Sequence, residues 1–323
     1  MTTANWQSIL VAVRDPHQRR QIAITKAANL AARNGAELTL FHAFSLPSTL
    51  PDSEISDPDA ILRSATTAHR EGLLELARPL RRKGISVRCE VVWDFPPAHA
   101  IIRHVLAEKP DLVVAESRRH ARIARWFMAN SDWELIRECP CPVWFVKHER
   151  IAKKLRILTA IDPAHAHAKP SALDVRLLRA AGSVADQFDG RCGLVHVIDT
   201  TAEKLLGSRA IAPAPAITDE IERLAKRHRI AAADRLIHSG NPEAALVSAA
   251  EEFKADLLVM GAVSRSGLSH FHIGSTAEAV IEAVTCDVLV VKPRQFKTTV
   301  SRRRPQLMAA GKKRTKSRRS VPE

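Results

Sequence analysis

The sequence predicts an α/β protein made of two tandem, doubly wound domains, each with a five-stranded parallel sheet. Three observations carry that expectation. Segments recur at a fixed offset of 145 residues: Asp111-Leu112-Val113-Val114 returns as Asp256-Leu257-Leu258-Val259, and Cys141-Pro142-Val143-Trp144-Phe145-Val146-Lys147 returns as Cys286-Asp287-Val288-Leu289-Val290-Val291-Lys292. Pro97 falls on Pro242 at the same offset. That period is too long for a solenoid and suits a whole domain. Within each copy, short β-branched runs alternate with helix-length segments, the pattern of βαβ units around a parallel sheet. Finally, 323 residues that are 46% hydrophobic can fill two cores, which must rest on Leu, Ile, Val and Ala because aromatics make up only 4% and Tyr is absent.

In the first copy, residues 9–13 read as a buried strand and 17–34 as a helix stopped by Asn34-Gly35. Strand 37–43 follows, and a polar loop at 47–59 leads to a long amphipathic helix at 60–83, ended by Lys83-Gly84. Strand 85–92, helix 97–109, strand 111–115, helix 131–138 and strand 142–146 complete the unit. The second copy repeats the order: strand 155–161, helix 167–188, strand 193–198, a loop carrying Pro213 and Pro215, helix 216–229 and strand 234–238. Asn241-Pro242-Glu243 then opens a helix with an N-cap and a first-turn proline. Strand 256–260, helix 275–284 and strand 287–292 follow. The expected domains are therefore 1–148 and 155–294, joined by a charged linker at 149–154. The last strands of the two domains offer edges that can pair within the chain or between chains of a homodimer.

Net charge is +14, and from Lys297 onward ten Lys or Arg face one acid, Glu323, so this end carries +9 of it. The basic tail at 295–323 lacks apolar periodicity and is expected to be disordered. Nonspecific nucleic-acid contact would run through Lys297 to Arg319 by phosphate neutralisation, with Phe296 the one aromatic to stack a base; the alternative is a solvated tail. No run approaches the roughly 18–20 apolar residues of a membrane span, and residues 1–6 show no export signal. Five cysteines without framework spacing suit a reducing compartment. The expectation is a cytoplasmic protein with no membrane partner.

Open parallel sheets bind ligands past the carboxyl ends of their strands, where the winding reverses. The second copy delivers Asp162 there after its first strand and Met260-Gly261-Ala262-Val263-Ser264-Arg265-Ser266-Gly267 after its fourth. Gly274-Ser275-Thr276 then opens a helix whose free N–H groups suit an anion. The alternative is that Gly261 and Gly274 only permit tight strand-to-helix packing. Other chemistry is weaker. His165/His167 and His270/His272 lack a Cys or carboxylate array, and Cys139-Pro140-Cys141 lacks Cys-x-x-Cys spacing. There is no Walker lysine, no credible Ser/His/Asp set and no acid pair for phosphoryl transfer. No catalytic or metal residue is assigned, and binding or sensing is favoured over catalysis.

The spacing Gly261-x2-Ser264-x9-Gly274-Ser275 resembles the G-x2-G-x9-G-[S/T] signature of the nucleotide-binding universal stress proteins. The tandem arrangement is similar to their E-type branch. Asp132-Trp133 ahead of Cys139-Pro140-Cys141-Pro142-Val143-Trp144 fits it, as do Ser264-Arg265-Ser266-Gly267 and Ser275-Thr276-Ala277-Glu278. The resemblance spans about residues 6–296. It implies a Rossmann-like, adenine nucleotide alpha hydrolase-like fold and a role in stress survival, including resistance to DNA-damaging agents. It further implies ATP, with Mg²⁺, as ligand, hydrolysed slowly if at all. Asp162 would meet the adenine edge, with Val197 and Met260 as apolar neighbours; Gly261 and Ser264 would border ribose and α-phosphate; Gly274, Ser275 and Thr276 would border the β- and γ-phosphates. The second motif glycine is Ser264 here. At positive φ a serine costs on the order of 1 kcal/mol, although its hydroxyl offers a phosphate contact. In the first copy Glu116, Arg119 and Ala129 replace Gly261, Ser264 and Gly274, and Arg14 precedes Asp15-Pro16. That nucleotide site is expected to be dead, leaving a structural or partner-binding domain. The alternative for the whole chain is an interaction or scaffold module that binds no nucleotide.

Overall fold

A computed structural model describes residues 6–45, 57–117, 125–163, 172–200, 215–262 and 275–302. The first half runs β1 (Ser8–Ala12), α1 (Ile22–Asn34), β2 (Glu37–Phe44), α2 (Pro58–Arg82), β3 (Val87–Trp93), α3 (Pro97–Glu108), β4 (Leu112–Glu116), α4 (Arg125–Glu138) and β5 (Val143–Val146). The second runs β6 (Arg156–Ile161), α5 (Ala172–Phe188), β7 (Arg191–Asp199), α6 (Pro215–Arg227), a 3-10 turn (Ala232–Asp234), β8 (Arg235–Gly240), α7 (Pro242–Glu252), β9 (Leu257–Gly261), α8 (Ser275–Ala283) and β10 (Asp287–Val291).

The strands form one sheet in the order β3-β2-β1-β4-β5-β10-β9-β6-β7-β8. Pairing within each half is parallel. The halves meet through β5 and β10, which pair antiparallel with Leu289 opposite Trp144. Of the two pairings the sequence left open, the chain makes the one within itself. Helices cover both faces: α1, α2 and α5 pack one apolar layer, while α3, α4, α7 and α8 pack the other. Local chemistry sets the ends of these elements. Asp57 accepts the Ala60 N–H at 2.9 Å ahead of α2, Asn241 accepts the Ala244 N–H at 3.1 Å ahead of α7, and Gly35 closes α1 at φ 65°. The repeated aspartates are anchors too. Asp111 accepts the N–H groups of Gln7 and Ser8, and Asp256 that of Arg156, each at 2.9 Å, so each ties the lead-in of a fourth strand to the start of a first.

Three expectations need correction. The helix expected at 131–138 starts at Arg125. The helix expected at 17–34 starts at Ile22. Asp15 accepts the His17 N–H at 2.9 Å and its carbonyl accepts Gln21 Nε2 at 2.7 Å, which holds the intervening residues as a polar turn. The tail expected to be disordered from residue 295 begins instead as a packed strap. Phe296 and Val300 are buried, and Glu138 of α4 accepts the Thr298 hydroxyl at 2.9 Å and the Thr299 N–H at 2.7 Å. Two apolar residues four apart suffice to dock it, too few to register as a period. Residues 303–323, with eight of the ten Lys and Arg that follow Phe296, lie outside the described residues.

Candidate functional site at the end of the second half-sheet

The winding of the second half reverses between β6 and β9, which are hydrogen-bonded neighbours whose chains leave in opposite directions, to β7 and to β10. Asp162 follows β6 directly, and its N–H donates to Asp174 at the start of α5 at 3.2 Å. Met260 is buried near the end of β9 and shares an apolar cluster with Ala262 and with Ala277 of α8; Val197 of β7 packs against that cluster. Ser275 is the first residue of α8 and Thr276, half-buried, the second. The structure thus sets Asp162 and Gly261 at the neighbouring ends of β6 and β9, with Met260 and Val197 in the apolar layer that also holds Ala277 of α8. Ser264 and Gly274 lie outside the described residues, as do His165, His167, His270 and His272.

Gly261 has a packing reason for lacking a side chain. A Cβ there would stand 2.9 Å from Leu173 Cδ2 of α5, on the sheet face away from Met260. Just beyond it, the buried Lys292 donates to the Ala262 carbonyl at 2.9 Å, and the Phe296 ring lies 4.7 Å from its Nζ. Burial pulls this ammonium down to about 8, although Cys139 and Glu138 act to raise it.

At the equivalent place in the first half lies a cleft of about 470 Å³, walled by Ala12, Val13, Ala43, Ala98, Ile101 and Leu135. Arg14 lines it too. One guanidinium nitrogen donates to both oxygens of Asp132, at 2.7 and 2.9 Å, and to the Glu116 carbonyl at 3.0 Å. Phe95, 68% exposed, stands on the rim. The arginine and glutamate were visible in sequence as departures from the nucleotide motif. The pairing of Arg14 with Asp132, 118 residues away, was not. Among the described residues no group of three His, Cys, Asp or Glu side chains could hold a metal ion. No described helix is long and apolar enough to cross a membrane.

The profile of the Universal stress protein family matches residues 5–147 and again 155–292. Universal stress protein E of Salmonella typhi is 29% identical over 322 residues, covering 92% of this chain and 98% of its own length. Universal stress protein E of Escherichia coli K12 is 29% identical, covering 92% and 97%. Among solved structures, a putative universal stress protein from Pseudomonas aeruginosa UCBPP-PA14 superposes with a TM-score of 0.69 at 23% identity, over 90% of this chain and 95% of that one. One from Archaeoglobus fulgidus gives 0.67 at 20% identity, over 90% and 97%. With two family domains joined in one sheet and E-type relatives along most of its length, the chain belongs to the universal stress protein family, in tandem form.

Proposed function

We propose that the second domain is an adenine-nucleotide sensor that takes ATP with Mg²⁺, and that the protein serves cytoplasmic stress survival, including resistance to DNA-damaging agents, without being an enzyme. The observation that carries this is the winding reversal between β6 and β9, with the nine-residue helix α8 next in the chain after β9. That arrangement offers a carboxylate for an adenine edge, an apolar wall of Val197 and Met260, and free N–H groups for phosphates. Among the described residues no group of His, Cys, Asp or Glu side chains could cage Mg²⁺, and in this reading the ion rides on the phosphates. Ser264 and Gly274 complete the reading through the family signature. The first domain, with Arg14 held by Asp132 in its cleft, takes the structural part.

The test is the nucleotide content of natively purified protein, followed by titration with Mg²⁺ and ATP. About one adenine nucleotide per chain supports the reading, and Gly274→Glu should abolish binding while leaving the unfolding transition in place. A folded Gly274→Glu variant with unchanged affinity sinks it. The packing reason found for Gly261 favours the second reading, an interaction module without nucleotide. In that case the basic tail would bring the module to nucleic acid, and truncation after residue 302, which removes eight of its ten Lys and Arg, should abolish DNA retention at low salt.

A further inference from the structure

The first domain holds the helix that opens onto the candidate phosphate site, and it does so at both ends. Arg137 of α4 reaches across the junction to Glu278 in the first turn of α8, at 2.6 Å. At the other end, Lys147 donates to the carbonyls of Ile281 and of Val284, the latter at 2.7 Å, and the His148 ring meets the Thr285 carbonyl. A cation at these carbonyls suits the negative end of the helix dipole. The symmetry partner of Lys147 is Lys292, and it behaves differently. It is drawn to the Ala262 carbonyl, while the Arg137 carbonyl lies 3.5 Å away. Arg137 therefore touches both described borders of the candidate site: its side chain meets the opening turn of α8, and its carbonyl meets the lysine that holds the end of β9.

Glu278 is awkward where it stands. It lies one turn, or about 5 Å, inside a helix start meant for phosphates. A carboxylate there favours the helix but repels a polyanion. Arg137 is the cation that cancels it. We propose that Arg137, supplied by the domain without a nucleotide motif, is a positioning residue of the second domain's site: it neutralises Glu278 and so removes the repulsion that this carboxylate would exert on phosphates at the helix start. This rests on the nucleotide reading above. It gives the first domain a working part at the site and makes nucleotide affinity depend on a contact between domains.

The experiment is MgATP titration of the full-length chain at fixed ionic strength, comparing wild type, Arg137→Gln, Arg137→Lys and Arg137→Gln/Glu278→Gln, with urea midpoints measured on each. Removing one neutralising charge some 5–8 Å from the phosphates should weaken binding about tenfold in Arg137→Gln. Arg137→Lys should stay within about threefold of wild type, because a point charge still neutralises the Glu278 carboxylate. The double variant should recover most of the lost affinity although it still lacks the ion pair, a rescue that a merely structural role would not produce. Wild-type affinity in Arg137→Gln overturns the inference, as does a double variant no better than the single. A wild-type protein that binds no adenine nucleotide at all is a different result: it removes the nucleotide reading itself, and the inference with it.

Discussion

Lys26→Met tests what fastens the two halves. The Lys26 ammonium lies 2.8 Å from Asp287 Oδ2, with the two side chains 6% and 0% exposed. Asp287 also accepts Trp144 Nε1 at 3.1 Å and the backbone N–H groups of Lys147 at 2.9 Å and His148 at 3.3 Å. Four donors of the first domain thus converge on one carboxylate of the second. Removing one partner of a buried pair costs about 3–5 kcal/mol, since the other charge stays buried. Three N–H donors remain on Asp287, so the low end applies, about 3 kcal/mol for Lys26→Met. Asp287→Asn, which strands the ammonium, should cost a similar amount. The double variant removes the burial penalty along with the attraction, so it should cost less than the sum of the singles, with a coupling of about 2 kcal/mol. Urea unfolding followed by tryptophan fluorescence reads this directly. With a slope of about 3 kcal/mol/M, each single variant should lose roughly 1 M in midpoint. Strictly additive losses, or a Lys26→Met midpoint within roughly 0.2 M of wild type, would refute the reasoning.

Three further outcomes are expected. Gly193→Ala in β7 should cost about 1–3 kcal/mol, because its Cβ would lie 2.6 Å from the Phe253 ring and 2.9 Å from the Asp234 carbonyl oxygen. Gly182→Ala in α5 meets nothing within 4 Å and should stabilise by about 0.5–1 kcal/mol; equal midpoints for the two would contradict the packing described. Burial lowers the pKa of His42, His69, His104 and His228 below the usual 6.5, and His69 and His17 lower His42 further. Between those lowered values and about 6.5 the unfolded chain binds more protons than the folded one, so stability should fall as pH drops below 6.5. A His42→Leu variant should show a shallower fall, and a midpoint that stays flat from pH 7 to 5 would contradict it. The thiols of Cys139 and Cys192, pushed up to about 12 by burial, and of Cys286, pushed up to about 11, should stay unreacted with iodoacetamide at pH 8 until urea exposes them. Rapid native labelling of Cys139 or Cys286 would count against their described burial, and that of the half-buried Cys192 against its raised pKa.

The parts of the fold legible in the sequence were those written in short stretches. Asp111 and Asp256 recur because each must anchor the start of a first strand, and Asn241-Pro242 reads as a helix start because a cap acts within three residues. The placement of Asp162, Met260 and Gly261 at strand ends was legible in the same way. The missed residues act across long separations. Arg14 and Asp132 are 118 residues apart, Arg137 and Glu278 141, Lys26 and Asp287 261. No periodicity joins such partners. One signal was nevertheless present. Lys147 and Lys292 end equivalent apolar strands, and a lysine repeated at that position in both copies calls for a buried acceptor. Each has one, in helix-end or loop carbonyls of the opposite or same domain.

The same scaffold holds opposite electrostatics at its two switch points. In the first half the residue before the strand-end aspartate is Arg14, and its charge is absorbed inside the domain by Asp132 and the Glu116 carbonyl. In the second half that position is Ile161, buried and apolar, so the strand end itself brings no cation. The charge at the opening of α8 instead comes from the other domain, through Arg137. A site with its cation built in can be closed by its own domain; a site whose cation crosses the junction depends on how the halves are set. The antiparallel join of β5 to β10 makes that dependence geometric, because it carries α4 and its arginine alongside α8. Anything that shifts β5 against β10 by one residue would move every side chain of the strand to the other face and take Arg137 from Glu278. The fastening of Lys26 and Trp144 to Asp287, at the first residue of β10, is placed to hold that register.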